Sequence, residues 1–153
     1  MEQIFLTSLS LLLIFAAISD IRGYVIPNWI SVAILLLFVA HLPVYWPPVI
    51  ALMTDTATAA FIFVIGLFLF ARGLFGGGDV KLLSALTLWV GLIGLPRLLV
   101  VMTLTGGILA LALLLVRRMS RDPQRKLDRR IPYGVAIAAA GIDFCLHRAG
   151  LAW

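Results

Sequence analysis

The chain has 153 residues, of which 63% are hydrophobic and only 12% are charged, and its mean hydropathy is +1.12. Because soluble domains carry about a quarter charged residues, this composition excludes an ordinary soluble domain and predicts an integral membrane protein. The formal net charge of +5 does not indicate nucleic-acid binding, because the basic residues concentrate in one short segment between apolar runs.

Six apolar runs follow one another along the chain, and each predicts a transmembrane helix. The runs cover residues 4–19, 29–42, 57–74, 80–95, 98–116 and 131–146. The first run is not a signal peptide, because Glu2 stands where a basic segment would be expected and further apolar runs follow. The expected fold is therefore all-α, a polytopic bundle of six transmembrane helices forming a single domain over residues 1–153, with no separate soluble domain.

The distribution of basic residues predicts the orientation of these helices. With six spans, ten of the twelve basic residues fall on one face, and only Arg97 and Arg148 fall on the other. The first face is therefore expected to be cytosolic, with loops 20–28, 72–80 and 117–130, and both termini are expected outside. The basic loop 117–130 is expected to lie against anionic lipid headgroups. An additional role in recruiting an acidic partner is the alternative.

Carboxylates at the ends of the predicted helices form two candidate pairs. Asp20 and Asp79 share the predicted cytosolic edge, whereas Asp55 and Asp143 share the outer edge. Asp55 has a simple structural interpretation as the N-cap of the third helix. Asp143 is interpreted as an interfacial charge that could pair with Arg148. The inner pair is therefore the better candidate for chemistry, since ionisable groups at membrane depth are commonly functional.

The segment around Asp79 reads GGGDVKLL, and the segment around Asp20 reads SDIRGYVIPN. Glycines permit backbone angles and close approaches that other residues do not. Two carboxylates held close together share a proton and titrate as a unit. One can then activate a water molecule while the other protonates the carbonyl or leaving group, which is the chemistry of aspartic proteases. This chemistry needs no metal and no cofactor, and the single cysteine, Cys145, provides no metal-binding set.

The sequence resembles the type IV prepilin peptidases through three motifs in order. These motifs are SDIRGYVIPN, the G-x-G-D signature within GGGDVKLL, and IPYGVAIAAA after the basic loop. The resemblance implies a bacterial inner-membrane endopeptidase. It would remove the short basic leader of prepilins or pseudopilins on the cytosolic side, after a glycine. Asp20 and Asp79 would be catalytic, and Gly76 and Gly78 would form the active-site turn.

Other matched positions have weaker implied roles. Pro132, Tyr133 and Gly134 correspond to the P-Y-G element of the family, which is interpreted as packing and cavity shaping. Arg22 and Lys81 would be supporting or substrate-orienting residues. Because residues 21–28 alone join the first two helices, the chain lacks the cytosolic insert of long family members, and the zinc site and methyltransferase activity are not expected. The short form resembles the branch serving tight-adherence (Flp-type) pili, and archaeal preflagellin peptidases are a related match.

Two other functions compete with a peptidase. A small proton-coupled transporter or channel subunit would need polar residues at intermediate depth. The candidates are few, chiefly Thr7, Ser10, Ser84, Thr87, Thr103 and Thr105, and such hydroxyls usually bond to their own helix. A non-catalytic membrane assembly protein would explain the small residues of the last two runs but not the arrangement of Asp20 and Asp79.

Overall fold

The computed structural model describes residues 1–119 and 131–151, and this part of the chain forms five α-helices. They are α1 (Glu2–Gly23), α2 (Asn28–Tyr45), α3 (Val49–Ala71), α4 (Gly77–Met119) and α5 (Tyr133–Arg148). The prediction of an all-α membrane bundle is confirmed. Most of the predicted basic loop, residues 120–130, lies outside the described residues.

Four of these helices, α1 to α4, are long and apolar enough to cross a membrane. The fifth has 16 residues, which is shorter than the ~20 that a typical spanning helix needs. Large apolar side chains are exposed over much of the surface, particularly on α3 and on the second half of α4. In a membrane these side chains face lipid, and their exposure agrees with the composition.

The fourth and fifth predicted runs belong to one long element, α4, so the structure has five helices where the sequence predicts six. A straight helix of 43 residues would be about 65 Å long, more than twice the ~30 Å hydrocarbon core. However, α4 is broken at Gly91, whose φ of 68° and ψ of 179° are not helical. The expected boundary near Pro96 is therefore wrong. Pro96 instead lies inside the second segment, five residues after the break.

The connection between α2 and α3 also differs from the prediction. Its prolines do end α2, but α3 begins directly afterwards at Val49, with Pro48 as its N-cap. Asp55 consequently lies within α3, and the prediction that it caps this helix is wrong. Its carboxylate Oδ1 instead accepts the backbone N–H of Leu92 at 3.0 Å, directly after the break at Gly91. Asp55 thus caps the second segment of α4.

The core lies between α1, α2, α5 and the first segment of α4. Its largest fully buried apolar side chains are Leu9, Leu13, Ile30, Ile34, Val80, Leu82, Leu86 and Ile137. Small residues let the helices approach closely. A Cβ placed on Gly141 of α5 would lie 2.6 Å from Leu13 of α1 and 2.9 Å from Leu86 of α4. Cys145 is buried in the same core.

The described contacts define two opposite ends of the bundle. At the aspartate end, Asp20 and Gly134 are hydrogen-bonded, which joins the end of α1 to the start of α5. At the arginine end, the Arg148 guanidinium bonds to Glu2 at 2.7 Å and lies over the ring of Tyr45. The predicted pairing of Asp143 with Arg148 is wrong, because Asp143 forms a two-point ion pair with Arg97 at 2.8 and 3.0 Å.

Candidate active site

Asp20 lies in the last turn of α1, and it is only 4% exposed. The helix ends immediately afterwards, where Tyr24 takes a left-handed conformation with φ of 52° and donates its N–H to the Asp20 carbonyl oxygen. The Ser19 hydroxyl donates to the Val25 carbonyl at 2.8 Å and fixes the following turn. The chain therefore folds back directly after Asp20, and this places Ile26 in the interior of the bundle.

The Asp20 carboxylate is held by a backbone group from a distant part of the chain. Its Oδ2 accepts the N–H of Gly134 at 2.7 Å, and both residues are buried. Gly134 is the second residue of α5, where backbone N–H groups have no partner within the helix. The positive end of the helix dipole also favours a carboxylate at this position.

Asp79 lies at the start of α4. It is the third residue of the helix, and its side chain is half-buried. The starts of α4 and α5 both pack against Ile26, through Gly78 and Gly134. The two aspartates therefore lie at the same end of the bundle. Each is associated with the N-terminus of a helix.

The glycines of the GGGD segment allow close approaches on both sides of Asp79. A Cβ on Gly76 would lie 2.5 Å from the Asp79 Oδ2 atom. A Cβ on Gly78 would lie 3.1 Å from the Cβ of Ile26 and 3.2 Å from its carbonyl oxygen. Any side chain at either position would therefore displace Asp79 or separate α4 from the turn after α1.

Ile26 connects the surroundings of the two aspartates. Its backbone packs against Gly78, the neighbour of Asp79, and its Cδ1 atom lies 2.7 Å from where a Cβ would stand on Gly134. The side chain is 6% exposed, so it fills the space between the starts of α4 and α5. Sequence reasoning did not single out Ile26, although it lies within the SDIRGYVIPN motif.

The P-Y-G element forms the start of α5. Pro132 is the buried N-cap, and the Tyr133 ring packs against the ring of Phe75 with centroids 5.6 Å apart. Packing is therefore part of the role of this element, as the sequence suggests. The hydrogen bond from Gly134 to Asp20 was missed. A glycine after a proline at a helix start was the available signal, because such a start presents free N–H groups.

The two basic residues near the aspartates have other surroundings. The Lys81 ammonium group donates to the Asn28 side-chain oxygen at 2.9 Å, and it is exposed. Arg22 is exposed at the end of α1. Within residues 1–119 and 131–151, neither forms an ion pair with Asp20 or Asp79. In the same described ranges, no three histidine, cysteine, aspartate or glutamate side chains form a cluster that could hold a metal ion.

These features define a membrane helical bundle with a pair of carboxylates at one end, presented by helix termini and by glycine-dependent close packing. Comparison with family models is decisive about the class of protein. Residues 7–111 match the type IV leader peptidase family, and the chain belongs to this family. It is an aspartic-type prepilin peptidase and a multi-pass protein of a bacterial inner-membrane peptidase family. No match was found among curated proteins or among solved structures.

Proposed function

We propose that this protein removes the short basic leader of Flp-type prepilins, using Asp20 and Asp79 as its catalytic pair. The observation that carries the proposal is the convergence of the two carboxylates at the aspartate end, on either side of Ile26. The matched region of the family includes both residues. Asp20 and Asp79 would hydrolyse the peptide bond by sharing one proton and one water molecule.

In this mechanism, one carboxylate accepts a proton from water while the water oxygen bonds to the carbonyl carbon of the scissile peptide. The other carboxyl group protonates the carbonyl oxygen. The resulting intermediate collapses, the C–N bond breaks, and the leaving amine takes a proton from the pair. The products are the free leader and a pilin with a new amino terminus.

The prepilin would enter with its basic leader in the cytosol and its apolar helix in the bilayer. Its scissile bond must leave the helical conformation, because helical amides are hydrogen-bonded and shielded. The Gly76–Gly78 turn would let an extended strand approach Asp79. Arg22 and Lys81 are exposed at this end and would orient the leader or the peptide near the cut. Methyl transfer to the new amino terminus is not proposed.

The proposed orientation keeps the aspartate end in the cytosol and both termini outside. It requires the two segments of α4, residues 77–90 and 92–119, to cross the membrane separately, with Gly91 as the turn between them, and α5 to cross as the sixth span. The first segment would be short for a full crossing, which suits a helix whose end lines a wet cavity. The basic loop 117–130 would lie at the cytosolic surface and bind anionic lipid.

A transport function receives little support from the polar residues inside the bundle. The hydroxyls of Ser10, Ser84 and Thr87 donate to carbonyl oxygens of their own helices at 2.8 Å. Hydroxyls that bond back in this way are already satisfied and do not form a continuous polar path. A transporter would need such a path between the aspartate end and the opposite end.

The experiment is cleavage of a full-length Flp-type prepilin by purified protein in detergent, with the new terminus identified by mass spectrometry. Asp20→Asn and Asp79→Asn, made separately, should each lower the rate by about 100-fold or more, because each removes one proton-transferring group. Asp55→Asn is the matched control, since asparagine keeps the oxygen that caps Leu92. Normal cleavage by either of the first two variants would refute the assignment of the pair.

A further inference from the structure

We infer that Gly134 is a positioning residue for Asp20, so that the first turn of α5 belongs to the working parts of the active site and not only to its packing. This inference rests on the proposed function, because it assigns a role to Gly134 within the same reaction. The match to the family model ends at residue 111, well before this element.

The first part of the argument is the hydrogen bond itself. It joins residues 114 positions apart in the sequence, and its donor and acceptor are both buried. A carboxylate on the last turn of a helix can otherwise rotate about its side-chain bonds. The fixed N–H of a helix start holds Oδ2 in one place, and this determines how the carboxylate faces Asp79. Positioning of this kind matters, because a displacement of about 1 Å can lower a rate by about 100-fold.

The second part is the space that glycine leaves. A Cβ on Gly134 would lie 2.8 Å from the Asp20 Oδ2 atom and 3.1 Å from the Asp20 Cβ atom. It would also lie 2.7 Å from Ile26 Cδ1. Glycine at residue 134 therefore lets the backbone of α5 reach Asp20 without forcing Asp20 or Ile26 to move. An alanine would push on Asp20 and Ile26 at once, and the two effects can be separated.

Three variants separate them: Gly134→Ala, Ile26→Val, and the two combined. The valine lacks the Cδ1 atom, so the double variant relieves the contact with Ile26 but keeps the contact with Asp20. Gly134→Ala should lower kcat for prepilin cleavage by about 100-fold with KM changed no more than about twofold, because orientation of Asp20 affects the chemical step. In the double variant the melting temperature should recover while kcat stays low. Gly107→Ala is the control, since a Cβ there meets nothing within 4 Å.

Recovery of kcat in the double variant would overturn the inference, because the defect of Gly134→Ala would then be packing against Ile26. A large rise in KM with an unchanged kcat would overturn it as well. A wild-type protein that cleaves no prepilin would instead refute the proposed function, and the hydrogen bond would then be judged by a measurement that needs no substrate.

That measurement is amide hydrogen exchange at Gly134, and it does not depend on whether the alanine variants fold. The chain contains one Tyr–Gly step, Tyr133–Gly134, so labelling with carbonyl-13C tyrosine and 15N glycine gives a single assigned NMR signal. Exchange should be about tenfold slower in the wild-type protein than in Asp20→Ala, which removes the acceptor. Asp20→Asn keeps an acceptor oxygen and should retain most of the protection. Equal exchange in wild type and Asp20→Ala would overturn the inference.

Discussion

An alanine at position 91 would meet two separate obstacles. Gly91 has a φ of 68° with a ψ of 179°, a backbone conformation that residues with a side chain rarely adopt. In addition, a Cβ there would lie 2.6 Å from the Asp55 Oδ1 atom, which caps Leu92. Gly91→Ala therefore strains the backbone and displaces the residue that stabilises the start of the second segment.

The magnitude follows from these two effects. Holding a non-glycine residue in this conformation costs about 1–3 kcal/mol. Losing a helix cap costs a further ~0.5–2 kcal/mol. If both effects apply, the free energy of unfolding falls by about 1.5–5 kcal/mol, which corresponds to a decrease of roughly 3–20 °C in Tm for a chain of this size.

The assay is thermal unfolding in one detergent, followed by circular dichroism, with Gly107→Ala as the matched control. Gly107 belongs to the second segment of the same helix, and a Cβ there meets nothing within 4 Å. Because alanine is the better helix former, the control should melt at or slightly above the wild-type temperature. If Gly91→Ala melts within about 1 °C of the wild type, the break at Gly91 does not have the described geometry, and the reasoning is wrong.

Three further predictions concern other contacts. Gly78→Ala should reduce prepilin cleavage, because the added Cβ meets the Cβ and the backbone of Ile26. Ile26→Val keeps both of these and should not restore the cleavage rate, so a restored rate would contradict this prediction. Arg97→Ala and Asp143→Ala should change Tm almost additively in a double-mutant cycle, since the pair is partly exposed (42% and 29%), and strong non-additivity would contradict this. Gly141→Ala should destabilise by about 1–3 kcal/mol through overpacking of the α1–α4–α5 contact, and an unchanged Tm would show that the contact is looser than described.

Apolar composition and motif order were sufficient to predict the class of fold, the family and the location of Asp20 and Asp79 at one end of the bundle. A run such as 4–19 must be a buried or lipid-facing helix, since its backbone groups have no other way to be satisfied in a membrane. The common location of Asp20 and Asp79 followed from alternating the direction of successive helices. It required no knowledge of individual contacts.

The details that sequence reasoning missed depend on contacts between distant residues. On local grounds Pro96 was a reasonable place for the boundary between the fourth and fifth predicted helices. The break lies instead at Gly91, where a carboxylate from α3 caps the new helix start. Pairing of Asp143 with its sequence neighbour Arg148 was one of two interpretations, but packing brings Arg97 to it instead. The bond from Gly134 involves only a backbone group of that residue. The sequence could indicate a helix start with free N–H groups there, but not that Asp20 is their partner.

The pairing of α1 with α5 at both ends has a consequence for biosynthesis. Asp20 is made early, yet its partner Gly134 is made 114 residues later, and Arg148 is made 146 residues after its partner Glu2. We expect a nascent chain to insert its first four helices without an assembled site. Such a precursor should remain inactive until α5 leaves the ribosome, so the newly made protease would not cut membrane neighbours before then.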